Sequence, residues 1–233
     1  MKNMKCIVVL FSMVVVMLYS CKKDGPTDNP QIDFGYNYFP TDTGRYVIYE
    51  VDSIAYDDKS HPADTTRYQL KEKIDSIFLD ISKRPTMRIS RYYKMYNDSV
   101  PYSSLPWNGP RIWYANRTAS TAERVEENTR YIRLVFPSSK GKKWDGNTYN
   151  TLGKKTYEII SMDVPETINN IYFDSVLTVK QFEQINFIEY MYETEKYARN
   201  VGLVYKQRDS IYDGGTADSV GYTYRQKLVS YGM

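Results

Sequence analysis

The sequence predicts an all-β protein: a large twisted antiparallel sheet that curls into a partly closed barrel. Three observations lead there. The 233 residues include 24 tyrosines alongside many β-branched residues, material that suits a pleated and half-buried surface. Runs with a period of two recur along the chain, and alanine- or leucine-rich helical stretches are missing. The loops between the runs are short and carry Gly, Pro, Asn or Asp, which favours antiparallel neighbours because parallel pairs need crossovers of about a dozen residues or more. A twisted sheet of around ten strands rarely stays flat, so it should curl. A two-sheet β-sandwich is the alternative.

Taken in order, the chain opens on a basic start (Lys2, Lys5), a thirteen-residue mostly apolar segment from Cys6 to Leu18, and then Tyr19, Ser20 and Cys21. A membrane-spanning helix needs about 20 apolar residues, so residues 1–20 read as a signal peptide. Residues 21–37 hold Gly25, Pro26, Pro30 and Gly35 without an apolar period and read as a flexible tether, so one β-rich domain should occupy 38–233.

The first strand covers residues 45–54, with Tyr46, Ile48, Glu50 and Asp52 on one face and Val47, Tyr49 and Val51 on the other. Residues 68–79 form a second, for which mixed charge leaves a helical alternative. Further strands are expected at 86–95, 111–118, 122–127, 130–136, 155–163, 171–181, 184–198, 202–212 and 219–231.

Leu18-Tyr19-Ser20-Cys21 resembles the lipobox of bacterial lipoproteins. The resemblance implies diacylation of the Cys21 sulfur with chains such as palmitate, cleavage after Ser20 and acylation of the new amino terminus. Each buried CH₂ contributes roughly 0.8 kcal/mol, so two or more chains hold a protein on its membrane. Lys22, Lys23 and Asp24 are similar to the surface-export signal of Bacteroidetes lipoproteins. Tyr38-Phe39-Pro40 with Gly44, the Phe136-Pro137 to Trp144 stretch, and Tyr197-Ala198 with Val201 to Tyr205 look like landmarks of uncharacterised β-rich Bacteroidetes lipoproteins. That resemblance implies an address at the outer membrane, facing the periplasm or the exterior, and no assigned reaction.

After removal of residues 1–20 the chain keeps 29 basic and 28 acidic residues and one cysteine. Near-neutrality argues against nucleic acid, and a single thiol leaves no disulfide. With His61 the only histidine, serine triads, Cys–His pairs and multi-histidine zinc sites are excluded, and no cofactor or metal is expected. Glu193 and Glu195 lie two apart on one strand face, a spacing of roughly 6.5–7 Å that inverting glycosidases also use. A solvated face is the preferred reading, so no catalytic residue is assigned. The stretch Asp209, Asp213-Gly214-Gly215, Asp218 could offer oxygens to calcium but reads first as a hairpin loop, and Asp145-Gly146-Asn147 as a turn.

Two features suggest contacts. Tyr102, Trp107, Trp113 and Tyr114, set among prolines, could stack on a sugar or grip a partner, or pack as a cover over the sheet edge. Asp-Ser or Asp-Thr followed by Ile, Val or Thr occurs seven times, where composition alone predicts about one. It is similar to the Bacteroidetes O-glycosylation motif, which implies acceptors at Ser53, Thr65, Ser76, Ser99, Ser175, Ser210 and Ser219. Equally, such pairs satisfy backbone groups at strand ends. The sequence therefore favours a non-enzymatic envelope domain anchored through Cys21. Such a domain binds an apolar or saccharide ligand in an aromatic-lined cavity, or docks an envelope protein through the Trp107 loop. A carboxylate hydrolase is the third reading.

Overall fold

The computed structural model describes residues 32–56, 64–213 and 219–233, the side chains of Asp213 and Ser219 excepted. Cys21, His61, the 214–218 loop and the Ser219 side chain lie outside the described residues, so the expectations placed on them stand as they were. Residues 34–233 form one compact unit, which starts four residues before Tyr38.

Twelve strands occur among the described residues. They are β1 (Tyr46–Tyr56), β2 (Asp64–Leu79), β3 (Pro85–Met95), β4 (Asn108–Arg117), β5 (Thr121–Glu126), β6 (Thr129–Val135), β7 (Lys143–Asp145), β8 (Thr156–Ile168), β9 (Ile171–Ile185), β10 (Glu189–Ala198), β11 (Gly202–Asp213) and β12 (Ser219–Gly232). Every pairing is antiparallel, in the order β6-β5-β4-β3-β2-β1-β12-β11-β10-β9-β8-β7. The result is a nearly closed barrel with one unsealed seam, between β6 and β7. The all-β expectation holds, and residues 68–79 belong to a strand rather than a helix. β7 was not foreseen because three residues are too few to display a period.

The seam is stitched rather than laddered. The amide of Ile132 donates to the carbonyl of Gly146 at 2.9 Å, the Trp144 indole donates to the carbonyl of Ile132 at 3.0 Å, and Asn150 donates to the carbonyl of Arg130 at 2.8 Å. Gly146 is glycine for a packing reason: a Cβ there would lie 2.4 Å from the Tyr157 ring.

Because neighbouring strands alternate in direction, the β2–β3, β4–β5, β6–β7, β8–β9 and β10–β11 turns share one end, the base. The other turns form the rim. A 3-10 turn at Tyr36–Tyr38 helps close the base, where the Tyr36 hydroxyl donates to the carbonyl of Ala119 at 2.9 Å. Arg117 donates to the carbonyls of Tyr36 and Phe39 at 3.1 and 3.0 Å. Pro40 packs against Gly202, whose φ of +95° suits glycine in the tight β10–β11 turn. The phase read for β1 is correct, since Tyr49 and Val51 are each 1% exposed and Glu50 faces solvent.

Candidate functional site

Inward positions change character from base to rim. Met87 and Ile89 lead to Arg91 on β3, Ala122 to Arg124 and Glu126 on β5, and Val204 to Lys206 and Arg208 on β11. The base of the lumen is therefore apolar and its middle is charged.

That middle layer is an ion network linking strands that are not sheet neighbours. Glu72 on β2 accepts from Arg91 at 2.9 Å and from Arg124 on β5 at 2.9 and 3.0 Å. Arg133 on β6 meets Glu126 at 2.7 Å and Glu195 on β10 at 3.5 Å, and Lys206 meets Glu195 at 3.0 Å. The Tyr197 hydroxyl donates to Glu195 at 2.6 Å. Nearer the rim, Glu193 pairs with Lys155 at 2.8 Å and Arg208 at 3.4 Å.

Burial alone would push these carboxyls up, and the cations more than reverse it. Arg124 and Arg91 hold Glu72 below its usual value, Arg133 and Lys206 hold Glu126 at about 2, and the same two cations hold Glu195 lower still. Lys206 moves down because desolvation outweighs the pull of Glu195 and Glu126. Burial raises the Tyr49 and Tyr197 phenols well above their ordinary value.

Two chambers flank this layer. The base cavity holds about 80 Å³ and is lined by Phe39, Tyr46, Tyr49, Ile89, Tyr197 and Leu203, with Glu72 and Arg124 at its inner end and Arg45 and Lys73 toward the outside. A rim chamber of about 290 Å³ is bounded by Lys155, Phe182, Met191, Glu193, Ser210 and Tyr222. Among the described residues no group of three or more His, Cys, Asp or Glu could hold a metal ion, and no helix is long and apolar enough to cross a membrane.

The four aromatics singled out from the sequence do not form one surface. Trp113 and Tyr114 belong to β4, within the strand expected at 111–118, and so point to opposite faces. Trp113 stacks in the lumen on Arg91, 3.4 Å from its ring centre, and its indole donates to Glu127 at 3.2 Å. Tyr114 lies outside, edge-on to Phe78. Trp107 covers Lys94 at 4.6 Å and Lys71 at 6.0 Å, while Tyr102 contacts Tyr96 and accepts a bond from Lys94 through its carbonyl. Trp107 and Tyr102 thus cover the sheet.

Glu193 and Glu195 share a face, and that face is the lumen rather than a solvated surface: Glu195 is 1% exposed. Held ionised by Arg133 and Lys206, Glu195 has no proton to donate at neutral pH, the reverse of what a general acid requires. Asp145 behaves as a turn residue, accepting from the amides of Asn147 and Lys155 at 3.0 and 2.9 Å.

Of the Asp-Ser/Thr acceptors, Thr65, Ser76 and Ser99 are exposed and Ser53 is half-buried. Ser175 is held among Tyr38, Asp163 and Arg199, and Ser210 lines the rim chamber. The lumenal ions went unpredicted because charge was taken as a mark of solvent. The available signal was phase, since Glu72 alternates with Leu70 and Ile74, and Arg124 follows Ala122.

No family model matches the chain, and no curated protein sequence does. Solved structures of similar fold include a Bacteroides fragilis protein with a YmcC-like fold, provisionally assigned as exported. It has a TM-score of 0.46 and 12% identity, and the match covers 87% of this chain and 100% of that one. A Parabacteroides distasonis protein, provisionally assigned as a lipoprotein, matches with a TM-score of 0.40 and 13% identity over 84% of this chain and 98% of its own. Lipovitellin, solved for its lipid–protein interactions, matches with a TM-score of 0.38 and 10% identity, over 83% of this chain and 26% of that one.

Proposed function

We propose that this protein is a non-enzymatic lipoprotein, anchored to the outer membrane through Cys21, whose barrel receives an apolar ligand at its base. The cavity beside Phe39, Tyr46, Tyr49 and Tyr197 carries the reading. It has the aromatic lining that a ligand-binding barrel requires, and its size limits the occupant. A 150 Å³ apolar cavity takes benzene, so about 80 Å³ suits the end of an acyl chain better than a whole sugar ring. Arg45, one of the two cations toward the outside, is already committed, donating to Asp42 and to the carbonyl of Asn200. That also counts against a saccharide, whose hydroxyls need free partners.

Calorimetric titration of the mature chain carrying Cys21→Ala with decanoate tests the reading. Saturable binding is expected, and Ala115→Leu, which fills the cavity wall, should abolish it with the circular dichroism unchanged. Binding that survives Ala115→Leu in a folded protein would sink the proposal.

A second reading, docking of another envelope component, is favoured by exposed Ile185, Phe187, Ile188, Tyr190 and Tyr212 at the rim rather than by the Trp107 loop.

A further inference from the structure

The β2–β3 hairpin displays an apolar tip at the base of the barrel. Ile77 is 46% exposed, Leu79 65% and Ile81 104%. This tip is held rigidly. Asp80 accepts from the amides of Ser82 and Arg84 at 2.9 Å each and from the Arg84 guanidinium at 3.0 Å, and its carbonyl accepts from the amide of Lys83 at 2.8 Å. An ordered turn that exposes isoleucine to water has lost the option of folding it inward, which points to a partner.

The same end carries exposed cations, Lys83 beside the tip and Lys140 and Lys143 on the β6–β7 side. It is also where the chain enters the fold, because the carbonyl of Phe34 accepts from the amide of Ser138 in the β6–β7 turn at 3.0 Å.

Chain length then selects the occupant. Phe34 follows Cys21 by thirteen residues. Fully extended they reach at most about 45 Å. The fifteen residues of β9 run roughly 50 Å, or about 35–40 Å along the axis of a tilted barrel. A rim-down orientation would stretch the tether along the whole wall, whereas a base-down orientation leaves slack.

We propose that the base of the barrel rests on an anionic bilayer surface. Leu79 and Ile81 enter the headgroup layer, and Lys83, Lys140 and Lys143 meet lipid phosphates. The inference rests on the anchor at Cys21 and is independent of what fills the cavity. It also places the cavity's outer residues, Pro40 and Gly202, at the membrane-facing end.

The test is cosedimentation of the mature Cys21→Ala chain with phosphatidylglycerol–phosphatidylcholine vesicles, so that acyl chains contribute nothing. Binding that weakens with added salt is expected. Leu79→Asp with Ile81→Asp should lower partitioning about tenfold or more, Lys83→Glu with Lys140→Glu should remove the salt dependence, and Phe187→Asp at the rim should change neither. Loss of binding with Phe187→Asp alone would overturn the orientation. No vesicle binding by the folded unaltered chain would overturn the membrane as occupant and leave the tip to a protein partner. Decanoate titration of the same variants separates this outcome from failure of the cavity reading.

Discussion

Arg133 on β6 lies 3.5 Å from Glu195 on β10, and each side chain is 2% exposed. The two strands stand on opposite sides of the seam, so the pair does electrostatically what the missing strand ladder between β6 and β7 does not. Arg133 also reaches the Tyr157 hydroxyl on β8 at 3.5 Å, a second link across the same gap. A buried pair costs desolvation that its attraction must offset, and here Lys206 and Tyr197 complete the carboxylate's shell.

Replacing Arg133 with Met would leave Glu126 and Glu195 buried beside too little positive charge. Breaking one partner of such a network typically costs about 3–5 kcal/mol. Urea unfolding of Arg133→Met is therefore expected to show a large drop in midpoint. A change of less than about 1 kcal/mol would mean that the backbone and side-chain bonds at the seam suffice without it.

The same network sets a pH response. Glu72, Glu126 and Glu195 all have carboxyls below their unfolded values, with Glu126 at about 2 against 4.5. The unfolded chain then binds protons first on acidification. Their stabilisation is complete above about pH 4.5 and is lost as pH falls through the folded values, at about 1.4 kcal/mol per unit of displacement. Tyr49 and Tyr197 run the other way, because their folded values are raised. Their contribution is complete below about pH 10 and fades as pH rises. Unfolding midpoints across pH, with phenolate absorbance followed at the alkaline end, should show a plateau bounded on both sides. Free titration of every tyrosine near pH 10 in the folded protein would contradict the burial of Tyr49 and Tyr197.

Glycan acceptors should divide by access. A glycosyltransferase needs an exposed hydroxyl, so Thr65, Ser76 and Ser99 are expected to carry glycan in the native host, while Ser175 and Ser210 stay bare. Intact mass and glycopeptide analysis read this directly, and the same spectrum tests whether the mature chain begins at an acylated Cys21. Glycan on Ser175 of the folded protein would contradict its bonding to Asp163.

Much of the fold was legible from local pattern. The alternation around Tyr49 divided the two faces of β1 correctly, and the short loops gave antiparallel neighbours. Pro40 and the stretch from Val201 to Tyr205 stood out as landmarks, although not that Pro40 and Gly202 touch. β4 was placed short at its start, because prolines and glycine near Trp107 suggested that the strand began only at residue 111. The strand starts at Asn108 instead.

By itself the sequence determined strand periodicity and antiparallel pairing, since each depends on neighbours along the chain. Only the tertiary structure decided that the barrel's middle is ionic. Glu72 and Arg124 are 52 residues apart, and alternation separates two faces without saying which is inside when both carry charge. Closure made the choice: once the sheet curled, Glu72, Arg91, Arg124, Glu126, Arg133, Glu195 and Lys206 shared one buried layer, where neighbouring strands pair Glu72 with Arg91, Glu126 with Arg133 and Glu195 with Lys206, and the lumen brings Arg124 to Glu72 and Arg133 to Glu195.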